Sequence, residues 1–377
     1  MRILEVSPFF HPHAGGVESH VRSLAKEFAR EGHDVTVLTS RYDRALPERE
    51  EFEGYRIVRT RTLAVWNNTP IDVGTRRRIA EIPADVVHIH YPPPMTAYFA
   101  TRGLARAPTP VCLTYHCDLY LPGALGRLLT GAYERLFLPP TLRRVARVIV
   151  HTRSYGSTSA ALRGRPLEII PSSVDLERFR PSVSGARVRE LLHLTDRRVL
   201  AFTGRLVPHK GVDAILRALP LLPADVALLV VGRGPTLPNL TSTARRLGVE
   251  DRVRFCPNVS DADLPGYLRA ADLFVFPSRN RLEGFGLAVA EAMAAGLPVV
   301  IADMPGVREV ITPGREGLLV EPLLPADLAD KVRRLLDDPT LVSEMGAAAR
   351  QRAEERYGVE VVARRLITVY RSLTAAG

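Results

Sequence analysis

The sequence predicts an α/β protein of two doubly wound, Rossmann-like domains facing one another across a cleft. Short β-branched or leucine-rich runs recur between longer helical patterns, which is the signature of βαβ units. The alternation stops at a loop rich in proline and serine and then starts again. In each half the first strand runs into a glycine-containing loop and a helix, which places backbone N–H groups at the carboxyl edge of the sheet, where phosphates bind. A chain of 377 residues, 46% of them hydrophobic and 24% charged, is long enough to bury two cores of ordinary size.

In chain order, the first half shows strands at residues 2–7, 34–39, 86–90, 111–115 and 148–151, with a helix at 19–31 after the opening strand. The break falls at 171–181, where Asp175 and Arg178 sit in a turn-like stretch ahead of a helix ending near Leu194. Strands follow at 199–203, 227–231, 253–255, 273–276 and 299–301. An amphipathic helix at 359–373 closes the chain. The expected domains are 1–177 with 357–377, and 178–356.

Composition excludes several classes. No apolar run approaches the ~18 residues of a membrane span, and the first strand begins at once, so the reading is cytoplasmic. Cys112, Cys117 and Cys256 form no CxxC pair and are too few for a disulfide framework or a cysteine-rich zinc site. The net charge of +10 comes without the motifs of nucleic-acid recognition, so no nucleic-acid partner is expected. Much of the charge is local: residues 101–165 carry ten arginines against Asp118 and Glu134. Within 123–147, five arginines are interleaved with Leu125, Leu128, Leu129, Leu136 and Phe137, the composition of a surface that meets an anionic acceptor or membrane. Only Lys26, Lys210 and Lys331 are lysines.

The strongest chemical signal is EGFGLAVAE, Glu283 to Glu291, which follows the 273–276 strand and turns through Gly284 and Gly286 into a helix. The loop N–H groups and the helix dipole there point at an incoming anion. TGRLVPHKG, residues 203–211, follows another strand and supplies two fixed cations, Arg205 and Lys210, suited to charge developing on a departing diphosphate. A lysine in a chain that otherwise writes its cations as arginine suggests that a compact ammonium is needed. GGVE, Gly15 to Glu18, follows the opening strand. Four histidines, His88, His90, His116 and His151, end strands, and the residues alone do not choose among them. Asp261 and Asp263 in DAD precede a helix at 264–271 and read as an N-cap rather than as a metal site.

These motifs resemble the retaining glycosyltransferases of family 4 over nearly the whole chain. The resemblance implies the GT-B fold and transfer of a hexose from a nucleotide-diphosphate sugar, such as GDP-mannose or a UDP-sugar, to a glycan, lipid-linked or small-metabolite acceptor. It implies no cofactor and no metal. Phe285, Gly286 and Leu287, with Gly284, would offer backbone contacts to the diphosphate and sugar, Glu283 would hold a sugar hydroxyl, and Glu291 would accept from the ribose. Arg205 and Lys210 would meet the leaving diphosphate, and Gly15 and Gly16 the donor phosphates, with Glu18 on the acceptor side. His116 would lie beside the anomeric carbon and the sugar's hydroxymethyl group, and Asp118 beside donor or acceptor. Gly232 would lie near the nucleotide and Asn258 and Val259 near the base, while the last helix would cross back to the first domain. The chain departs from the family at Ser172 and Ser173, where asparagine and glycine are usual, and at Tyr357, near which a tryptophan is common. Rival readings are a nucleotide-sugar epimerase or sugar phosphorylase of the same architecture, or a non-catalytic binding protein.

Overall fold

The computed structural model describes residues 1–13, 15–66, 69–121 and 123–375. The chain divides into two compact units, Met1–Ser173 with Val359–Gly377, and Val174–Gly358.

The first unit contains β1 (Arg2–Val6), β2 (Asp34–Arg41), β3 (Arg49–Phe52), β4 (Tyr55–Arg61), β5 (Ala64–Trp66), β6 (Thr69–Ile71), β7 (Val86–Tyr91), β8 (Val111–Tyr115), β9 (Arg147–Val150) and β10 (Leu167–Ile169). Eight of these form one sheet in the order β10-β9-β8-β7-β1-β2-β4-β3, parallel except for the β3–β4 pair, while β5 and β6 pair separately. Both faces are apolar, as a sheet covered by helices on each side requires. Leu4, Val6, Val87, Ile89 and Leu113 pack into one core, and Ile3, Val35, Val37 and Val86 into the other. The second core takes Val21, Leu24 and Phe28 from the Gly16–Arg30 helix. It also takes Val362, Ala363, Leu366, Ile367 and Tyr370 from the C-terminal helix Val359–Thr374, whose spacing of three and four makes one apolar stripe.

The second unit contains β11 (Arg198–Thr203), β12 (Val226–Val231), β13 (Val253–Cys256), β14 (Leu273–Phe276), β15 (Val299–Ala302) and β16 (Gly317–Val320), ordered β13-β12-β11-β14-β15-β16 and wholly parallel. Winding runs outward from the centre in both directions, so the order reverses between β11 and β14, and in the first unit between β1 and β7. Ligands of open α/β sheets bind outside the carboxyl ends of strands at such switch points.

Some local expectations are corrected. The first helix begins at Gly16 rather than Ser19, because Gly15 is extended (φ −176°, ψ 165°) and its carbonyl already accepts from Ser19 N–H at 2.9 Å. The stretch after Ser173 is pinned as a turn by the Asp175 carboxylate, which accepts from the N–H groups of Glu177 and Arg178 at 3.1 and 2.9 Å. The helix beyond it is short, Ala186–Leu191. Strand β4, YRIVRTR, is absent from the expected strands. Its Arg59 is buried, held by the carbonyls of Pro47 and His11 and by Glu50.

Candidate active site

In the second unit, the loops after β11 and β14 meet at the switch point. Arg279 N–H donates to the His209 carbonyl at 2.8 Å, Ser278 Oγ donates to the same oxygen at 3.3 Å, and the Arg279 side chain pairs with Asp213. Gly211 makes the approach possible: its φ is +73°, and a Cβ there would strike the Pro277 carbonyl. This clasp sets Lys210 against Glu283 as an ion pair, with Nζ 4.8 Å from the centre of the Phe276 ring. The two side chains are only 17% and 12% exposed, so the pair is shielded from water. Burial, reinforced by Lys210, lowers the His209 imidazole to about 4, so His209 adds no charge at neutral pH. Arg205 lies exposed at the start of the same loop.

Gly284 and Phe285 are buried, and the Phe285 ring packs edge-on against Tyr357 with centroids 5.4 Å apart. Its side chain therefore belongs to the core, leaving only its backbone for a ligand. Gly286, at φ +86°, is the N-cap of the helix Leu287–Ala294, whose first N–H groups have no intrahelical acceptor. Glu291, on that helix, is pushed up to about 7 by burial and by Asp261, against the opposing pull of Arg178 and Lys210. Arg178, stacked on Phe179, also donates to the Asp261 carbonyl, so a cation the sequence placed only in a turn faces the carboxylate expected to bind ribose. Gly232 follows β12 at φ +136°, where a Cβ would meet the Gly204 carbonyl. Asn258, exposed, and Val259, half-buried, follow β13.

The reading of DAD as a capping motif needs correction. Asp263 holds the N-cap position of Leu264–Arg269 but in a helical conformation (φ −85°, ψ −22°), and its side chain makes no capping bond. The Ser260 hydroxyl does the local work instead, donating to the Asp263 carboxylate at 2.6 Å and accepting from its N–H at 3.2 Å. Among the described residues, neither Asp261 nor Asp263 joins a His, Cys, Asp or Glu group at ligand distance.

In the first unit, Gly15 and Gly16 open the helix, but the anion at this helix end is internal. The Glu18 carboxylate folds back over Gly15, where a Cβ would collide with it, and lies 2.8 Å from His13 Nδ1. Asp118 is occupied as well. It accepts from Ser159 at 2.6 Å and Tyr115 at 3.1 Å, and its N–H donates to the Tyr155 hydroxyl at 2.5 Å.

The four strand-end histidines prove to be one cluster. His116, half-buried just past β8, has one ring nitrogen 3.0 Å from His90 and the other 2.9 Å from His151. Both of its ring nitrogens are thus engaged by neighbouring histidines. Three members escaped the sequence reading: Glu5, 2.8 Å from His90; Tyr370, 2.6 Å from His88; and His20, which accepts from Ser173 N–H at 3.0 Å. A carboxylate inside the apolar run ILEV was the available signal. Ser172 and Ser173, the departures from the family pattern, also point into this cluster, toward His151 and His20.

Comparison with known proteins accords with this geometry. Residues 14–178 match the family model "Glycosyltransferase Family 4", and residues 186–352 match "Glycosyl transferases group 1". A GDP-mannose-dependent alpha-(1-6)-phosphatidylinositol monomannoside mannosyltransferase of Mycobacterium tuberculosis is 30% identical over 396 residues, covering 100% of this chain and 99% of its own. A D-inositol 3-phosphate glycosyltransferase of Xylanimonas cellulosilytica is 30% identical over 413 residues, covering 99% of this chain and 96% of its own. The sucrose-phosphate synthase of Thermosynechococcus elongatus superposes with a TM-score of 0.83 over 100% of both chains at 24% identity, a likeness of fold alone. Two Rossmann-like domains, an ion pair and a helix N-terminus at a switch point, and full-length relatives together make this chain a member of glycosyltransferase family 4, a nucleotide-sugar glycosyltransferase of the GT-B fold.

Proposed function

We propose that the protein is a retaining, metal-independent hexosyltransferase that takes mannose from GDP-mannose and places it on an inositol-bearing lipid. The observation that carries this reading is the shielded Lys210–Glu283 pair beside the N-terminus of Leu287–Ala294. A fixed ammonium and aligned N–H groups meet charge as it accumulates on a leaving diphosphate, without reorganising during the reaction. Glu283, already holding the ammonium in place, presents its other oxygen to a sugar hydroxyl, and Arg205 adds a second cation. Glu291 accepts from the ribose, and the N–H groups of Phe285, Gly286 and Leu287 hold the phosphate oxygens. GDP-mannose and an inositol lipid are what the mycobacterial relative's name specifies. An inositol phosphate acceptor is the second reading, favoured by the full-length likeness to the Xylanimonas enzyme. Purified protein incubated with GDP-mannose or UDP-glucose, and with phosphatidylinositol vesicles or inositol phosphate, separates these readings. Mannosylated lipid formed only from GDP-mannose supports the first. Transfer with inversion, read from the anomeric coupling of the product, would remove "retaining".

The same charges support the metal-independent reading, since they would take the role a divalent ion has in other transferases. Activity is expected to survive excess EDTA with little loss. Abolition by EDTA and recovery with manganese would reverse this account of the leaving group.

The lipid reading draws further support from the helix Gly123–Leu136. Leu125, Leu128 and Leu136 are 68%, 69% and 67% exposed, on a segment that also carries Arg127 and Arg135. Among the described residues no helix is long and apolar enough to cross a membrane, so any contact made here would lie on the surface. Each cation near an anionic leaflet contributes about 1 kcal/mol. Binding to vesicles containing anionic lipid should therefore fall steeply with salt, and Leu125→Ser with Leu128→Ser should weaken it. Equal partitioning to neutral and anionic vesicles would sink the idea.

A further inference from the structure

Behind His116 runs a line of three imidazoles between two terminal acceptors. The Ile170 carbonyl lies 3.0 Å from His151 Nδ1, His151 Nε2 lies 2.9 Å from His116 Nδ1, His116 Nε2 lies 3.0 Å from His90 Nδ1, and His90 Nε2 lies 2.8 Å from a Glu5 carboxylate oxygen. Each of these four contacts needs one hydrogen, and a neutral imidazole brings one. A carbonyl only accepts, so His151 carries its hydrogen on Nδ1 and turns a lone pair to His116. His116 must then donate from Nδ1, and by the same step His90 donates from its own Nδ1. All three hydrogens are now placed, and His90 Nε2 would face the Glu5 carboxylate lone pair to lone pair. Glu5 and His90 are both wholly buried, where two opposed acceptors are costly. A fourth proton therefore lies between them, on Nε2 or on the carboxyl group, and the pair is neutral as a whole in either case.

Other polar groups surround this line, and His88 Nδ1 lies 3.3 Å from the Glu5 oxygen that meets His90. Ser172 Oγ, 3.2 Å from His151 Nε2, can donate to the same lone pair. Tyr370 donates to the second Glu5 oxygen at 3.3 Å and receives from His88 Nδ1 at 2.6 Å, while Thr114 donates to His88 Nε2 at 2.7 Å. His20 has the opposite tautomer, because its Nδ1 accepts the Ser173 N–H, and its ring stands at 81° to 89° to those of His90, His116 and His151. Burial keeps His20 and His116 well below the ordinary imidazole range and His151 at about 4, so these rings stay neutral. Glu5, His88 and His90 also place ligand atoms within 4.8 Å of one another, but each of these residues already has a hydrogen-bond partner.

We infer that Glu5 is a positioning residue for His116: with His90 it holds the fourth proton that completes the line and fixes His116 as a neutral ring protonated at Nδ1. With both nitrogens engaged, His116 has no free lone pair for proton abstraction and meets a ligand as an oriented, uncharged ring. The catalytic weight of this inference rests on the proposed place of His116 beside the donor sugar, whereas the proton placement does not.

Full-length protein labelled with ¹⁵N-histidine tests both parts. Long-range imidazole correlations should show Nδ1–H on His90, His116 and His151 and Nε2–H on His20. In Glu5→Gln the amide N–H donates to His90 Nε2 and its oxygen accepts from Tyr370, so the tautomers persist and turnover stays within about threefold of the parent. Glu5→Ala leaves the fourth contact empty, so the pattern is lost and kcat falls by about tenfold or more while donor KM changes far less. Should Glu5→Ala not fold, Glu5→Asp, whose carboxylate is withdrawn from His90, takes its place with the same expected loss. The inference is overturned by Nε2–H on His116, by one equivalent of bound metal in the purified protein, by a Glu5→Gln variant as impaired as Glu5→Ala, or by full turnover in a variant that has lost the pattern. If the parent transfers no sugar at all, the proposed function fails while the spectra still decide the proton placement.

Discussion

Lys210→Ala is expected to lower turnover by about two to three orders of magnitude while weakening donor binding much less. The reason lies in when the charge appears. On the proposed function, a diphosphate bound as substrate would already contact backbone N–H groups at Leu287–Ala294, but breaking the glycosidic bond adds charge to the leaving oxygen, and only then would the ammonium act at full strength. The structure sharpens the expectation, because Lys210 is held in place before any ligand arrives by Glu283 beneath and Phe276 alongside. Lys210→Arg should restore little, since a guanidinium is larger than an ammonium and its fork would have to enter the largely buried space that a compact point charge fills beside Glu283. Glu283→Ala should also cripple turnover, by releasing Lys210 as well as by losing a sugar contact. The double variant is therefore expected to be scarcely worse than either single one, as for neighbours that act through one another. Steady-state kinetics with donor Kd measured separately checks this. Equal losses in Kd and in kcat/KM would mean that the ammonium only binds.

Donor affinity should rise with pH through neutrality, through Glu291. Its carboxyl is raised to about 7 in the free protein, chiefly by burial, so near neutral pH it is only partly ionised. Hydroxyls of the ribose donate best to the ionised form, so binding is coupled to loss of a proton. Affinity should fall up to tenfold per pH unit below about 7 and level off above it. Calorimetry in buffers of different ionisation enthalpy should detect proton release at pH 7. Stability of the free protein carries the opposite sign. A carboxyl whose folded value is raised contributes stability below its ordinary value of 4.5, and this is lost as pH climbs toward 7. Glu291→Gln should accordingly melt higher than the parent at pH 8 and not at pH 4, and should bind donor without pH dependence and more weakly, by about one to two orders of magnitude. Donor binding independent of pH between 5 and 8 in the parent would show that Glu291 does not meet the ribose.

Both expectations concern residues that could be named from the chain alone, and the reason is local. EGFGLAVAE and TGRLVPHKG each follow a short apolar strand directly, so strand, turn and helix are encoded within about a dozen residues. The central strands were legible for the same reason, as runs apolar on both faces. Strand β4, which lies between β2 and the edge strand β3, was not, because its arginines look like surface until Arg59 is seen to be buried and held by the carbonyls of Pro47 and His11. The capping role assigned to Asp263 failed through a neighbour, since the Ser260 hydroxyl takes the local hydrogen bonds.

The histidines mark the boundary of what a sequence decides. From the chain alone, His88, His90, His116 and His151 read as ending strands, because a break in hydrophobicity is a property of neighbours. What these rings do depends on parallel pairing. The register that sets Glu5 opposite His88, the order that lays β7 between β1 and β8, and the return of the last helix bring together groups as far apart as His90 and His116, 26 residues, and Tyr370 and Glu5, 365 residues. The fold class, the glycine-bearing loops at the strand ends and the kinds of charged group they carry are legible in the chain alone. Only the tertiary structure decided that Lys210 and Glu283 form one pair, that Arg178 faces Glu291, and that His116 is bound inward to a buried carboxylate, since hydrogen bonds and desolvation depend on distances of a few ångströms between residues that the sequence holds far apart.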